Sequence, residues 1–425
     1  MRIAVVGGGV AGLVTAWLLR TRHEVSLYEQ ADYIGGHAHT ATMTIGEREI
    51  PVDTAFITFS ADVYPIFSRL LDHLGVASRP APTSFSCHID GRDVGWVYGP
   101  RRTRFRGASS DDWLKPSFRR MLLDTLRFYR NARELLGDVP RHEAGLTIGA
   151  YLERGGYSDD FVSNLLLPGA SALWSLPLQA CRDLDAAALV AAFNEGGYLS
   201  VWNRRQWRTV AGGSQQYVRR LVASLEGRIR LRTEVGRVTR QGTGVLVRDS
   251  TGAEDRFDHV VMAAHADQTL RMLADPSEAE RQILGRFTYF PNTVHLHHDP
   301  SLMPRSRSHW ATWNYAGSHH DDPSRPVAHT YWMNRLQGLD DDVPTFVSLN
   351  PMRLPHADLV ERVIRYEHPT LDPATVAAQK ECLRIQGVNR TSFCGACYER
   401  WGSHEDAIRS GLSVARSFGA DLPWV

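Results

Sequence analysis

Residues 2–12 read Arg2-Ile3-Ala4-Val5-Val6-Gly7-Gly8-Gly9-Val10-Ala11-Gly12, and an apolar run with helical spacing continues from Leu13 to Leu19. A second apolar run, Val25-Ser26-Leu27-Tyr28, stops at Glu29. The order is strand, G-x-G-x-x-G, helix, strand, terminal acid, which is the dinucleotide fingerprint in its full context. Gly7 is expected to make the tight turn, Gly9 to let the backbone approach a pyrophosphate, and Gly12 to let the helix pack close to the strand. The helix start then offers amide donors and a positive dipole end to phosphates. Glu29 lies 17 residues beyond Gly12, where a carboxylate accepts ribose hydroxyls. Ala11 and Gln30, beside these groups, complete the expected contact set around the nucleotide.

The chain continues Ala31-Asp32-Tyr33-Ile34-Gly35-Gly36-His37. The paired glycine resembles the extended FAD motif of glutathione-reductase-like flavoproteins, in which a loop passes close over the pyrophosphate. That resemblance implies FAD rather than NAD. The amine-oxidase branch usually carries Arg after the pair, and here the position is His37, which reads either as a phosphate or flavin-edge contact or as a satisfied loop histidine. Near the C-terminus, Thr391-Ser392-Phe393-Cys394-Gly395-Ala396 is a strand ending at a glycine. The segment Gly402 to Ala415, with Asp406-Ala407-Ile408 ahead of a long helix, resembles the closing motif of the FAD amine-oxidase-like enzymes. The resemblance implies that Asp406, Ala407 and Ile408 meet the flavin pyrimidine and that Gly395 meets pyrophosphate or ribitol. The plainer alternative is a C-terminal helix capped by Ser403.

In the middle, a turn at Gly212-Gly213-Ser214 precedes an amphipathic helix from Gln216 to Leu225 and a strand-like run through Ile229 to Val235 and Val238. In related flavoproteins this returns the chain to the cofactor, so Val235 is expected to meet the adenine through its backbone. Residues 257–265 then read as the strand closing the FAD sheet, with Ala263 at the cofactor. Together these segments resemble the FAD-dependent amine-oxidase-like superfamily. More narrowly, they are similar to bacterial NAD/FAD-binding oxidoreductases encoded beside cyclopropane-fatty-acid-synthase-like methyltransferases. The residues behind that narrower match are Gly36 to Thr40, Val52 to Ile57, Trp310 to Tyr315 and His404-Glu405-Asp406. Ala55 departs from the usual glycine, which would crowd the backbone near a flavin.

The expected fold is α/β: a discontinuous glutathione-reductase-like, Rossmann-type FAD domain (1–79, 206–279, 385–425) with an inserted α+β substrate domain (80–205, 280–384). Phe118–Leu136, Thr147–Leu152 and Phe161–Leu166 have helical spacing, whereas Thr293–His297 and Thr345–Leu349 alternate as strands do. A length of 425 residues suggests about two to three domains. Forty-eight basic against 47 acidic side chains give a net charge of +1, which removes any bulk electrostatic case for nucleic acid or an anionic membrane surface. Five cysteines do not read as a secreted disulfide framework, and neither a signal peptide nor a membrane span is expected. The expected setting is the cytoplasm, and a homodimer stays open.

Only Lys115 and Lys380 are lysines, so 46 of the 48 basic residues are arginines. Amine oxidases of this superfamily use a lysine to hold a water beside flavin N5, and neither lysine stands in a strand pattern that would deliver it there. This tilts the expectation toward hydride transfer at a carbon, and the resemblance to the oxidoreductases encoded beside methyltransferases implies a small apolar or acyl-like substrate: desaturation, oxidation or reduction. A redox-neutral isomerase or cyclase, and amine oxidation itself, are the alternatives. Tyr315, Tyr398, Glu399 and His404 are candidate proton-handling groups. Trp310, Trp313, Asn314, Tyr331, Trp332 and Asn334, with Trp174 and Trp202, are candidate substrate walls or core. Cys394-Gly395-Ala396-Cys397 is a C-x-x-C, yet its place in a cofactor-contacting strand end favours packing, so FAD held non-covalently is preferred over covalent attachment. His295, His297 and His298 lack supporting ligand spacing, and no metal is expected.

Overall fold

The computed structural model describes residues 1–90, 96–98, 106–107, 114–136, 145–199, 205–318 and 322–424. Trp202, one of the expected aromatic walls, lies outside them. The short β-branched runs of the sequence form a five-stranded, all-parallel sheet in the order Ile229–Arg230, Glu24–Tyr28, Arg2–Val6, His259–Met262, Thr391–Phe393. Ile3 pairs with Val25 on one side and His259 on the other, and Val260 pairs with Thr391. Both faces are covered, so Ile3, Ala4 and Val5 are fully buried, as parallel strands require. The Ile3 and Val5 side chains each contribute roughly 1.5–3 kcal/mol by leaving water. The helix Val10–Leu19 is buried on all sides, because the helix His404–Ser417 crosses it. At that crossing a Cβ on Gly411 would sit 2.6 Å from the Ala11 carbonyl oxygen.

Two expectations about this sheet are corrected. His259–Met262 is an inner strand and does not close the sheet. The C-terminal Thr391–Phe393 takes its free edge, and Cys394 N–H continues the ladder to Met262 O at 3.0 Å. The run from Ile229 to Val238 is also not one strand. Arg232 takes a left-handed φ of 52°, and the turn is tied down by Arg232 N–H to Ala31 O and Thr233 N–H to Glu29 O at 2.9 and 2.8 Å. Ile229–Arg230 therefore stays in the parallel sheet, while Val235–Gln241 starts an antiparallel sheet with Gly244–Asp249 and Glu254–Phe257.

The second large layer is an eight-stranded mixed sheet in the order Val360–Pro369, Tyr289–His297, Phe346–Leu349, Ala328–Trp332, Trp313–Ser318, Phe85–Asp90, Trp96–Tyr98, Arg106–Gly107. Its pairings are antiparallel except for Trp313–Ser318 with Phe85–Asp90. It shares one core with the helices Pro116–Asn131, Ile148–Arg154, Leu167–Trp174 and Ala186–Glu195. The hairpin Thr40–Ile45/Arg48–Asp53 contributes Ala41, Met43 and Val52 to that same core. The expected helix Phe118–Leu136 is α-helical to Asn131 and 3₁₀ from Ala132 to Leu136, and the Phe161–Leu166 run continues as a π-helical turn over Val162–Leu166. Among the described residues no helix is long and apolar enough to cross a membrane.

Candidate cofactor and active site

The segments singled out in the sequence converge at the carboxyl ends of the parallel strands, where open α/β sheets bind ligands. Gly7 takes a φ of +111°, and a Cβ there would meet Ala263 O at 2.6 Å. A Cβ on Gly12 would stand 2.0 Å from Gly7 O, so only glycine allows this helix to rise so close to its strand. Gly9 differs: a Cβ built there meets nothing within 4 Å. Gly9 is also the N-cap of the helix and makes no side-chain cap, which leaves the first-turn amides of Val10 and Ala11 without an intrahelical partner. Across this open face Gly35 bridges to Gly9, its N–H bonding Gly8 O at 2.8 Å, and Gly36 adopts a φ of +59°. Glu29 accepts from Gly8 N–H at 2.7 Å and from Ala31 N–H at 2.8 Å, one bond to each oxygen. Each oxygen keeps a lone pair for a ribose hydroxyl. Gln30 next to it is exposed.

Aromatic and imidazole rings surround the mouth of this face. His37, directly after Gly36, lies 4.9 Å from the Tyr366 ring and 5.0 Å from His368, and its Nε2 is buried without a hydrogen-bond partner among the described residues. His265, just past the end of His259–Met262, stacks on Tyr289 at 4.2 Å and places Nδ1 3.2 Å from Glu367 Oε2. Burial holds the His37 imidazole well below its ordinary value, reinforced by His368, His265 and His404, and burial holds His368 down at about 4. These rings are neutral in the protein alone. An unpartnered imidazole nitrogen directly after the paired glycine, helix amides without a side-chain cap, and a glycine face with room for further atoms together suit a diphosphate.

The closing segment is more structural than the motif suggested. Ser403 and Asp406 form a capping box: Ser403 N–H donates to Asp406 Oδ2 at 2.9 Å, and Asp406 N–H donates to Ser403 Oγ at 3.2 Å. Ala407 N–H bonds Ser403 O, and Ile408 is fully buried. The expected pyrimidine-facing amides of Asp406 and Ala407 are thus committed inside the helix. The N–H groups of His404 and Glu405, in its first turn, are the ones left pointing out. Val235 is buried among Ala4, Val6 and Tyr28, and Gly395 N–H bonds Ser410 Oγ at 3.1 Å.

The four candidate proton-handling groups do not form one cluster. His404 stacks on Phe56 at 3.8 Å and bonds Tyr217 Oη at 3.0 Å, and burial pushes its imidazole down to about 3. It is a neutral packing ring at physiological pH. Tyr398 is buried against Phe287, with burial suppressing its ionisation. Burial raises Glu399, with Asp406 adding to the effect. Tyr315 lies apart in the core of the eight-stranded sheet. Burial raises the Cys394 and Cys397 thiols to about 12, and all five cysteines are free and buried. A reactive dithiol does not fit that setting. Among the described residues no cluster of three or more His, Cys, Asp or Glu side chains is arranged to hold a metal.

Two features escaped the sequence. Asp53, fully buried, accepts from Thr40 Oγ1 at 2.6 Å and Ser214 N–H at 2.9 Å, while its own N–H donates to Gln337 Oε1 at 2.8 Å. It stitches the hairpin, the Gly213-Ser214 turn and the second layer together; a lone aspartate in Val52-Asp53-Thr54 carries no signal of that. The second feature is an aromatic run between the layers. Trp174, Phe193, Tyr198, Trp207, Tyr64 and Trp401 follow one another with centroids 5.9–6.4 Å apart, and Tyr64 reaches Phe56 at 6.0 Å. Its members range from Tyr64 to Trp401 along the chain, so no local period betrays it. By contrast, Asn314 and Asn334, named among the candidate substrate walls or core, are spent on nearby backbone groups.

The fold and this glycine-lined crevice define an FAD-dependent oxidoreductase, and the comparisons with known proteins agree. The profile of the flavin containing amine oxidoreductases matches residues 10–417, and the chain belongs to that family. AofH of Mycobacterium tuberculosis, named as a flavin-containing monoamine oxidase, is 27% identical over 375 residues, covering 84% of this chain and 71% of its own. Among solved structures, a putrescine oxidase variant redesigned in its cofactor binding superposes with a TM-score of 0.69 at 17% identity, over 99% of this chain and 98% of its own. A CLA-producing fatty acid isomerase from P. acnes superposes with a TM-score of 0.63 at 17% identity, over 98% of both chains. At such identities the likeness is one of fold.

Proposed function

We propose that the parallel sheet and its helices form a Rossmann-type FAD domain, that the eight-stranded sheet with residues 80–205 and 280–384 forms the substrate domain, and that the enzyme transfers hydride from or to a carbon of an apolar or acyl-like molecule. The observation that carries the substrate class is the aromatic run from Trp174 to Trp401. It ends at Phe56 and His404, on the two segments that flank the cofactor face. Such a wall has few polar handles and suits an apolar chain or ring. The lysines support the same choice, because Lys380 is exposed on the helix Pro373–Glu381 and Lys115 caps the outer helix Pro116–Asn131.

When bound, FAD supplies the hydride acceptor or donor at N5. In this reading Gly9, Val10 and Ala11 receive the pyrophosphate, Glu29 holds the ribose, and His37 faces the phosphates with its free nitrogen. Gly7, Gly12, Gly35, Gly36 and Ala263 shape the cradle, Val235 borders the adenine, and the His404–Ser417 helix start faces the flavin. High thiol basicity at Cys397 supports non-covalent attachment. Glu399, whose carboxyl is raised by burial, is the acid assigned to proton exchange in this reading. Tyr398, Tyr315 and His404 serve as walls in this account, not as acids. Anaerobic mixing of the holoenzyme with fatty acyl compounds and with primary amines tests the reading. Bleaching of the flavin band by an acyl compound supports it. Bleaching by amines alone assigns amine oxidation, and turnover of an acyl compound without bleaching assigns isomerisation.

A further inference from the structure

The helix Pro116–Asn131 turns two different faces outward and inward. Phe118, Met121, Thr125 and Phe128 are buried in the substrate-side core. On the opposite stripe, Arg119, Leu123, Leu126 and Arg130 are all exposed and recur at four-, three- and four-residue steps, which aligns them along one side of the helix. Leu123 is 68% exposed and Leu126 58%, and Leu114, just ahead of the helix, is 75% exposed. These three are among the most exposed large apolar side chains described, and a protein surface rarely groups them without use. The stripe is bordered by further cations. Arg120 and Arg133 are exposed, Lys115 is half-buried at the N-cap, and Arg127 lies over the Tyr157 ring at 4.2 Å.

Among the described residues, three nearby acids are engaged. Asp124 bonds Ser158 and meets Arg127 at 3.0 Å, Glu134 accepts from Tyr151 Oη at 3.1 Å, and Asp160 lies 3.8 Å from Arg120. Arg119 and Arg130 meet no carboxylate among the described residues; they reach only Leu114 O and Asn131 Oδ1. Exposed leucines flanked by arginines that meet no carboxylate among the described residues are the composition of a helix lying in a lipid headgroup layer. The same charge argues against self-association. A two-fold dimer through this patch would bring the Arg119 and Arg130 of one copy against the same arginines of the other.

We propose that this face docks the protein reversibly on an anionic lipid surface, Leu114, Leu123 and Leu126 entering the headgroup layer and Arg119 and Arg130 pairing with lipid phosphates. The near-zero net charge of the whole chain conceals this local patch. The inference stands on the surface alone and is independent of the substrate reading.

Sedimentation of the holoprotein with vesicles tests it, using phosphatidylcholine with and without phosphatidylglycerol. Binding is expected only with the anionic lipid and falls as salt is raised. Leu123→Ser/Leu126→Ser and Arg119→Gln/Arg130→Gln should each weaken it by roughly tenfold or more, with flavin content, helicity and flavin reduction by dithionite unchanged. Equal binding of the wild type to both vesicle types would overturn the proposal, as would equal binding by wild type and variants. A leucine variant that turns a dimer into a monomer without altering vesicle binding would assign the face to a second copy and equally overturn it.

Discussion

The two large layers are held together by different physics. In the parallel-sheet layer the decisive contacts are between backbones: Gly12 against Gly7 O, Gly7 against Ala263 O, Gly411 against Ala11 O, each with a would-be Cβ 2.0–2.6 Å from a carbonyl oxygen. In the eight-stranded layer the decisive contacts are side-chain amides and hydroxyls satisfying buried backbone. Asn314 alone accepts from Ser86 Oγ and Ala311 N–H and donates to Ala311 O and Thr330 O, at 2.7–2.9 Å. Adding atoms should therefore damage the first layer, and removing partners should damage the second.

The sharpest test of that contrast is Gly12→Val. Its side chain meets fixed backbone, not a movable side chain, and a loss of about 3 kcal/mol or more is expected, read as failure to recover folded protein or as a large drop in urea midpoint. Asn314→Leu, similar in size, should cost about 2–4 kcal/mol because it orphans several buried partners; near-neutrality would break the contrast. Asp53 belongs to both layers. Asp53→Ala leaves Ser214 N–H and the Thr40 hydroxyl without their acceptor, and about 2–3 kcal/mol should be lost.

Asp53 also makes a prediction in pH. Burial raises its carboxyl to about 7 in the folded protein, above the ordinary aspartate value near 3.9. The folded state therefore holds that proton more tightly, so this contribution to stability is fully present below about pH 4 and is lost as pH rises through about 7. Asp53→Asn should flatten that part of the stability profile and gain relative to wild type at pH 8. The imidazoles act in the opposite sense. His404 is depressed to about 3, so its contribution is present above about pH 6.5 and is lost on acidification. His404→Phe, which keeps the stack on Phe56, should soften the acid-side loss, the smallest effect of the set.

The same contrast explains what could be read in advance. The fingerprint at Gly7, Gly9 and Gly12, Glu29, the paired glycine and the closing helix were legible because each is local: a few consecutive residues meet a backbone constraint that few other residues meet. The α/β class and the family followed from them. The error over which strand ends the sheet, and the splitting of Ile229–Val238 at Arg232, came from pairings between segments more than 130 residues apart and from one left-handed residue. Asp53 and the aromatic run were invisible because the contacts that define them, Asp53 with Ser214 and Gln337 and Tyr64 with Trp207 and Trp401, join segments far apart in sequence. Asp406 was read by motif as a cofactor contact; its Oδ2 and amide are taken by the Ser403 cap, while its buried Oδ1 has no hydrogen-bond partner among the described residues.

The central claim is that the open face of Gly9 receives the FAD pyrophosphate, and Gly9→Val tests it most directly. Since a Cβ at Gly9 meets nothing within 4 Å, the variant should fold with the melting temperature of flavin-stripped wild type. It should be purified colourless and fail to take up added FAD. A folded Gly9→Val protein that retains stoichiometric flavin would contradict the account.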